Sequence, residues 1–187
     1  MQETFYLPTV QNMHPMLQEA LEEIDSATAG MDGAQLNFHP AGKWSSAEIL
    51  EHLSMTFDQT ARGMKRCLEA GKNLGDEPTM RQRLFHMIVL DLKHFPKGRK
   101  SPPKVEPTGQ VRGLEAVARI RENLIAMDHT LGECREKLGT SGRLANHPVL
   151  GPLTNEQWCT FHCVHTKHHM KQIQALREQQ TAKASSA

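Results

Sequence analysis

VARIRENLIAMDHTLGECREKL, residues 117–138, carries the clearest helical pattern in the chain. Its apolar side chains recur at alternating spacings of three and four residues, which places them on one stripe of a helix. Because this spacing resembles the seam of a coiled coil, it predicts a long helix that packs against other helices. Cys134 takes a core position, which favours a small hydrophobic side chain over a nucleophile. The seam consists of Val117, Ile120, Leu124, Met127, Leu131, Cys134 and Leu138.

Two more segments show the same apolar periodicity, and a third has the signal of a helix start, so three more long helices are expected. Ser45 and Glu48 have capping-box spacing, which predicts that a helix begins there. Thr154 and Gln157 have the same spacing and predict the start of another helix. Glycines near residues 30 and 71 are expected to end the first two helices. The four expected long helices span about residues 10–31, 46–71, 117–138 and 155–180.

A shorter helix and an irregular loop separate the second long helix from the third. Apolar residues predict the short helix within residues 77–95. Prolines interrupt regular structure at 95–107, because proline lacks a backbone donor and restricts the residue before it. No segment alternates with the period of a strand for long enough to build a sheet. We therefore expect an all-α four-helix bundle, with one domain at residues 1–180 and a disordered tail at 181–187.

Composition argues against several classes of function. Lys and Arg total 22 against 21 Asp and Glu, so the net charge of +1 would not attract nucleic acid or anionic lipid. No apolar stretch approaches the roughly 20 residues that cross a bilayer, and no signal peptide is visible. The four cysteines contain no C-x-x-C pair and suit a reducing cytosol. We expect a cytoplasmic protein that acts on a small molecule, without a nucleic-acid or membrane partner.

The fourth helix departs from the pattern because histidines occupy its core face. At 100° per residue, His162, His165 and His169 lie within about 60° of one another. A buried polar group without a partner costs roughly 1 to 3 kcal/mol, so something must satisfy these rings. A divalent metal does so, since neutral imidazole is a common metal ligand and histidines at i and i+4 project from one face.

A catalytic metal site needs a third protein ligand from another helix. His52 is the best candidate, because it lies about two turns inside the second helix, on the flank of its apolar stripe. If the second and fourth helices run antiparallel, His52 lies level with His165 and His169, and these three are the predicted ligands. Weaker candidates are His162, His168 and Cys163. Histidines without a helical partner are expected to have no special role: His14, His39, His86, His94, His129 and His147.

Two segments resemble signatures of the DinB/YfiT-like superfamily of metal-binding four-helix bundles. They are WSSAEILEHL at residues 44–53 and HTKHHMKQI at 165–173, which has the pattern H-x-x-H-H-x-x-Q-I. The segment HPVLGPLTNEQW at 147–158 is similar to a branch whose members are mostly uncharacterised. The resemblance covers residues from about 10 to 180.

This resemblance implies an up-down-down-up bundle in which the second and fourth helices are antiparallel. It implies a site for zinc, nickel or a similar ion at His52, His165 and His169. Relatives with known activities include transferases and isomerases that use low-molecular-weight thiols, and hydrolases have been proposed. The expected function is therefore a metal-dependent enzyme that activates either water or such a thiol. Glu48 and Glu51, one turn and one residue from His52, are each a candidate for a base or for orienting a ligand, and each is equally a candidate for a surface group that serves the helix cap and solvent, so the base stays unassigned.

Two other functions stay open at this point. The first is a non-catalytic, metal-stabilised bundle that acts as a homodimer, in which a fourth protein ligand would close the site. The second is haem held by two axial histidines, which is weaker because the chain has no C-x-x-C-H attachment motif.

Overall fold

The computed structural model describes residues 12–96 and 101–184. Within these ranges the chain is mostly helical, which confirms the expected class, and one small antiparallel sheet is added. The helices are α1 (Pro15–Thr28), α2 (Gly33–Asn37), α3 (Ser46–Ala70), α4 (Met80–His86), α5 (Leu114–Leu138) and α6 (Asn155–Ala184). The two strands are β1 (Arg143–His147) and β2 (Gly151–Thr154).

The predicted helix caps are present. The Ser45 side chain accepts the backbone N–H of Glu48, whose carboxylate accepts the N–H of Ser45. Thr154 and Gln157 make the same reciprocal pair before α6. Gly71 ends α3 with a φ of 62°, the left-handed conformation that glycine adopts most easily. Local sequence signals therefore set both ends of α3 and the start of α6.

Two contacts at different positions along each pair of long helices define their relative directions. α1 runs parallel to α6, α3 runs parallel to α5, and α3 runs antiparallel to α6. Because α3 and α6 are antiparallel, His52 on α3 can lie level with His165 and His169 on α6. The contacts are His14 with Glu156, Ala27 with Arg177, Ser54 with Asn123, Met64 with Cys134, His52 with His165, and Thr60 with His162.

Buried side chains from α1, α3, α5 and α6 make up most of the core. The predicted seam of α5 is buried along its centre, while Val117 and Leu138 at its ends are partly exposed. The Cys134 thiol donates to the backbone carbonyl of Met64, and burial raises the pKa of this thiol to about 11. Cys134 therefore behaves as a core side chain. Fully buried side chains from α1, α3, α5 and α6 include Leu17, Leu53, Leu124 and Ile173.

The expectation that no sheet forms is wrong. β1 has five residues and β2 has four, and their pairing is irregular between Arg143 and Ala145. Strands of this length and irregularity carry too few alternating positions to stand out in a sequence. The hairpin turn is held by His147, whose side chain accepts two backbone N–H groups of the turn.

Several helix boundaries also differ from expectation. α1 begins at Pro15, because proline is favoured at the first helical position, and residues 10 and 11 of the predicted helix lie outside the described residues. The predicted short helix is α4 followed by a π-helical turn at Met87–Asp91. At the other end α6 continues through residues 181–184, where alanine and lysine are strong helix formers. Residues 185–187 lie outside the described part.

The predicted irregular loop contains one short 3₁₀ turn, Pro103–Val105, and its residues 97–100 are outside the described ranges. No helix in the described part of the chain is both long enough and apolar enough to span a bilayer.

Candidate metal centre

Three imidazole rings from two helices converge in the core. Nε2 of His52, on α3, lies 3.4 Å from Nε2 of His165, on α6. Nε2 of His165 lies 3.0 Å from Nε2 of His169, and all three residues are at most 7% exposed. Two nitrogens bound to a tetrahedral zinc at about 2.05 Å lie about 3.3 Å apart. Among the residues described, this is the one group of three or more such side chains that can hold a metal ion.

Hydrogen bonds at the other ring nitrogens determine two of the tautomers. Nδ1 of His52 lies 2.7 Å from the carbonyl oxygen of Val105, and Nδ1 of His169 lies 2.8 Å from Oε1 of Gln172. An oxygen acceptor requires the proton on Nδ1, so both Nε2 atoms present lone pairs to the centre. A proton on Nε2 of His165 could be donated to Nε2 of His52 or to Nε2 of His169, but not to both. A cation between the rings would satisfy all three, so the arrangement fits a metal ion.

Burial keeps these rings neutral. It lowers the pKa of His52, and it lowers the pKa of His169 to about 3. It also holds the pKa of His165 well below its ordinary value, with the neighbouring imidazoles adding to the effect. The neutral ring is the form that binds a metal ion. The centre is therefore ready for a cation at physiological pH, without first releasing protons.

Aromatic side chains surround the three rings. The ring centroid of Trp44 lies 5.2 Å from that of His52. Phe95 stacks on His165 with centroids 4.8 Å apart, and Phe161 stacks on it at 5.3 Å. These apolar surfaces restrict the rings and limit the approach of water. Phe95 could not be identified from the sequence, because it lies at the edge of an irregular loop without periodicity.

A cavity of about 1310 Å³ adjoins the histidines and extends to the β-hairpin. All three histidines line it, so a water molecule or a small ligand in the cavity can approach them. His147, for which the sequence predicted no special role, lines it from the hairpin side. The other aromatic side chains in its wall are Trp44, Phe85, Phe95, Trp158 and Phe161.

The structure places the weaker ligand candidates away from the common point. His162 lies one turn before His165, with its Nε2 2.9 Å from Oγ1 of Thr60. Its Nδ1 is buried and has no hydrogen-bond partner in the described structure, and burial lowers the pKa of the ring to about 3. His168 lies on the far side of Gln172, 3.3 Å from the amide nitrogen. Both rings line the cavity.

Cys163 does not face the cavity. Its thiol donates to Oε2 of Glu19, on α1, at 3.4 Å. Burial and the adjacent carboxylate raise the pKa of this thiol to about 11. A protonated thiol is a poor metal ligand.

Glu48 is engaged at the start of α3. Its carboxylate accepts the backbone N–H of Ser45 at 2.7 Å and lies 3.1 Å from Nε2 of His39. The side chain therefore serves the helix cap and does not reach the three imidazoles.

Glu51 anchors the loop that reaches His52. Its carboxylate, in a residue only 4% exposed, accepts the hydroxyl of Thr108 at 2.6 Å and the backbone N–H of Gly109 at 3.0 Å. These contacts hold the segment that carries Val105, whose carbonyl accepts from His52. The influence of Glu51 on the imidazole is thus indirect. Nothing in the sequence indicated Val105, because a backbone carbonyl has no residue-specific signal.

Comparison with known proteins places the chain in a family. Residues 12–176 match a family model described as protein of unknown function (DUF1569). The chain is 28% identical over 168 residues to the uncharacterized protein YuaE of Bacillus subtilis (strain 168), covering 87% of this chain and 96% of that protein. No solved structure matches it. Since the family model spans most of the chain, including all three converging histidines, the protein belongs to the DUF1569 family.

Proposed function

We propose that this protein is a metal-dependent enzyme of the DinB/YfiT type, in which His52, His165 and His169 bind one zinc or nickel ion. The observation that carries the proposal is the pair of Nδ1 hydrogen bonds to Val105 and Gln172, which leaves Nε2 lone pairs directed at one point. Three neutral imidazoles with coordination positions left open are a ligand set of catalytic zinc.

We infer that the four long helices form the up-down-down-up bundle of that superfamily. The parallel pairs α1 with α6 and α3 with α5, and the antiparallel pair α3 with α6, support this arrangement. Under this inference, α4 and the β-hairpin are additions that flank the cavity.

The ion would lower the pKa of a bound water, to about 7 in the case of zinc, or the pKa of a bound low-molecular-weight thiol. The chain's own residues have separate tasks. Val105 and Gln172 orient two of the imidazoles, and Phe95 and Phe161 stack on His165 and shield its ring from solvent. Because Glu48 and Glu51 are engaged elsewhere, we assign neither as the base.

We also propose a small-molecule substrate and a cytoplasmic location. The cavity of about 1310 Å³ has room for a small molecule, since typical small-molecule sites have roughly 300–1,000 Å³. The four cysteines are free and buried, which suits a reducing compartment.

A non-catalytic, metal-stabilised bundle that acts as a homodimer is the second candidate. It is favoured by the exposed apolar residues Met80 and Leu84 on α4, which are 81% and 52% exposed. The enzyme is preferred because the cavity reaches the histidines and because, in the described ranges, the cluster holds no fourth His, Cys, Asp or Glu ligand.

The deciding experiment uses protein purified without a histidine tag. Plasma emission spectroscopy should find about one zinc or nickel per chain. The His165→Ala and His169→Ala variants should lose it, while His129→Ala, at an exposed position on α5, should keep it. Unchanged metal content in the first two variants would show that the ligand assignment is wrong.

The metal-loaded protein should then be screened against esters, amides and pairs of a thiol with an electrophile. Activity should disappear on chelation and return when the metal is restored. A protein that binds metal stoichiometrically, forms a dimer and turns over none of these substrates would favour the second candidate.

A further inference from the structure

His147 is the last residue of β1, and two hydrogen bonds hold its ring in one orientation. Its Nδ1 accepts the backbone N–H of Val149 at 3.1 Å and that of Leu150 at 3.0 Å. A ring nitrogen that accepts hydrogen bonds carries no proton, so the neutral ring has its proton on Nε2. The structure therefore presents a fixed Nε2–H donor. This donor has no acceptor within the part of the chain that is described.

The environment keeps this ring neutral. Burial lowers the pKa of His147 to about 4, and the nearby His86 adds to the effect. His86 in turn lies with its Nε2 2.7 Å from the carbonyl oxygen of Leu150, which fastens α4 to the hairpin. An N–H group at a cavity wall needs a hydrogen-bond acceptor. Water is the acceptor in the free protein, and an oxygen atom of a ligand can replace that water.

His147 shares one cavity with the candidate metal centre. The ring centroid of Phe161 lies 4.4 Å from that of His147 and 5.3 Å from that of His165. The two imidazoles are therefore at most about 10 Å apart, a span that a small organic molecule can bridge.

The wall of the cavity combines apolar rings with a positive charge balance. Among the described residues, the Lys, Arg, Asp and Glu side chains that line it are Lys43, Arg66, Lys104 and Glu106. Three cations against one anion favour a negatively charged ligand, and the aromatic wall favours an apolar body.

We propose that this cavity binds an organic carboxylate with an apolar body, and that one carboxylate oxygen accepts the Nε2–H of His147. As a statement about the substrate, this inference rests on the proposed metal-dependent function. Binding of the carboxylate itself does not require the metal, so the two can be tested separately.

The first test is a variant that preserves the hairpin. In His147→Asn the side-chain oxygen can still accept the turn N–H groups, as asparagine commonly does in turns, while the Nε2–H donor is lost. The probe is 3-phenylpropanoate, titrated by calorimetry into the protein as purified. Wild type should show saturable binding, and His147→Asn should weaken it about tenfold or more, because the lost hydrogen bond is charge-assisted.

Two controls distinguish the hydrogen bond of His147 from the loss of any histidine and from binding of the apolar body alone. His129→Asn, at an exposed position on α5, should bind the probe like wild type. The alcohol 3-phenylpropan-1-ol keeps the apolar body without the carboxylate and should bind more weakly to wild type. Equal affinity of wild type and His147→Asn for the carboxylate would overturn the proposal, and so would no saturable binding to wild type at tens of millimolar.

A second measurement does not depend on the variant's folding. In wild-type protein labelled with nitrogen-15 histidine, the shifts of His147 should report a proton on Nε2, and the probe should move that signal. A proton on Nδ1 would overturn the proposal. If His165→Ala keeps its metal while His147→Asn loses the probe, the metal assignment is wrong and the carboxylate proposal stands. If His165→Ala loses its metal while His147→Asn binds the probe like wild type, only the carboxylate proposal is wrong.

Discussion

Nδ1 of His52 donates a hydrogen bond to the backbone carbonyl of Val105 at 2.7 Å. This contact joins a helix of the core to the irregular loop between α4 and α5, and it directs the lone pair of Nε2 toward the other two imidazoles. The same loop is held by Glu51, one residue before His52, through Thr108 and Gly109. A ligand of the proposed metal thus depends on a loop that shows no periodicity of its own.

The first prediction concerns Glu51. Glu51→Ala leaves the N–H of Gly109 and the hydroxyl of Thr108 without their acceptor, so the loop that carries Val105 should loosen. Metal affinity, measured by competition with a chromogenic chelator, should fall by about 10- to 100-fold, as is typical when a group that orients a ligand is lost. Glu51→Gln keeps one acceptor oxygen, so its metal affinity should fall less than that of Glu51→Ala. Equal affinity in wild type and Glu51→Ala would show that the loop does not orient His52.

Acid sensitivity should depend on His162. Its pKa is about 3 in the folded protein against an ordinary 6.5, because burial disfavours the charged ring. Between these values the unfolded chain binds a proton that the folded chain does not, so stability falls as the pH falls below about 6.5.

His162→Gln keeps a partner for Thr60 but removes this titration. Its free energy of unfolding, from urea melts, should depend less on pH between about pH 4 and 6, by up to about 1.4 kcal/mol per pH unit. An unchanged slope would mean that His162 is not buried as a neutral ring.

The four thiols should be unreactive in the folded protein. All four are buried, and burial raises the pKa of Cys159 to about 12 and that of Cys134 to about 11. Since the thiolate is the nucleophile, an aromatic disulfide reagent at pH 8 should label them slowly until a denaturant is added. Rapid labelling of one thiol in the native protein would contradict this description of the core.

Phe95 should control access to the candidate centre. Phe95→Ala removes the ring that stacks on His165 at 4.8 Å, which opens one side of the centre to solvent. The bound metal should then be removed several-fold faster by excess chelator, followed by stopped flow, with its stoichiometry retained. Phe85→Ala, which alters another part of the same cavity wall, is the control and should leave the rate near that of wild type.

Much of this fold could be predicted because its signals are local. The spacing in residues 117–138 identified α5, and the capping pairs at Ser45 and Thr154 marked the starts of α3 and α6. Helix periodicity and capping act over a few residues, so they can be read without knowing the neighbours in space. The short strands could not be found this way, since the pairing of β1 with β2 depends on the turn that His147 holds.

The same distinction applies to the candidate site, where local patterns predicted some residues and long-range contacts decided the rest. The i, i+4 spacing of His165 and His169 and the position of His52 on another helix were visible in the chain, and the structure brings these three together. The sequence left Glu48 and Glu51 as equal candidates near the site, and only their contacts distinguish a helix cap from a loop anchor.

Other residues that line the cavity come from segments without a repeating pattern: Val105 and Phe95 from a loop, and His147 from a hairpin. Their positions result from packing between residues far apart in the chain. Helical spacing can therefore indicate which imidazoles share a face, but the orientation of each ring, and so the atom that it offers to a ligand, is set by long-range contacts.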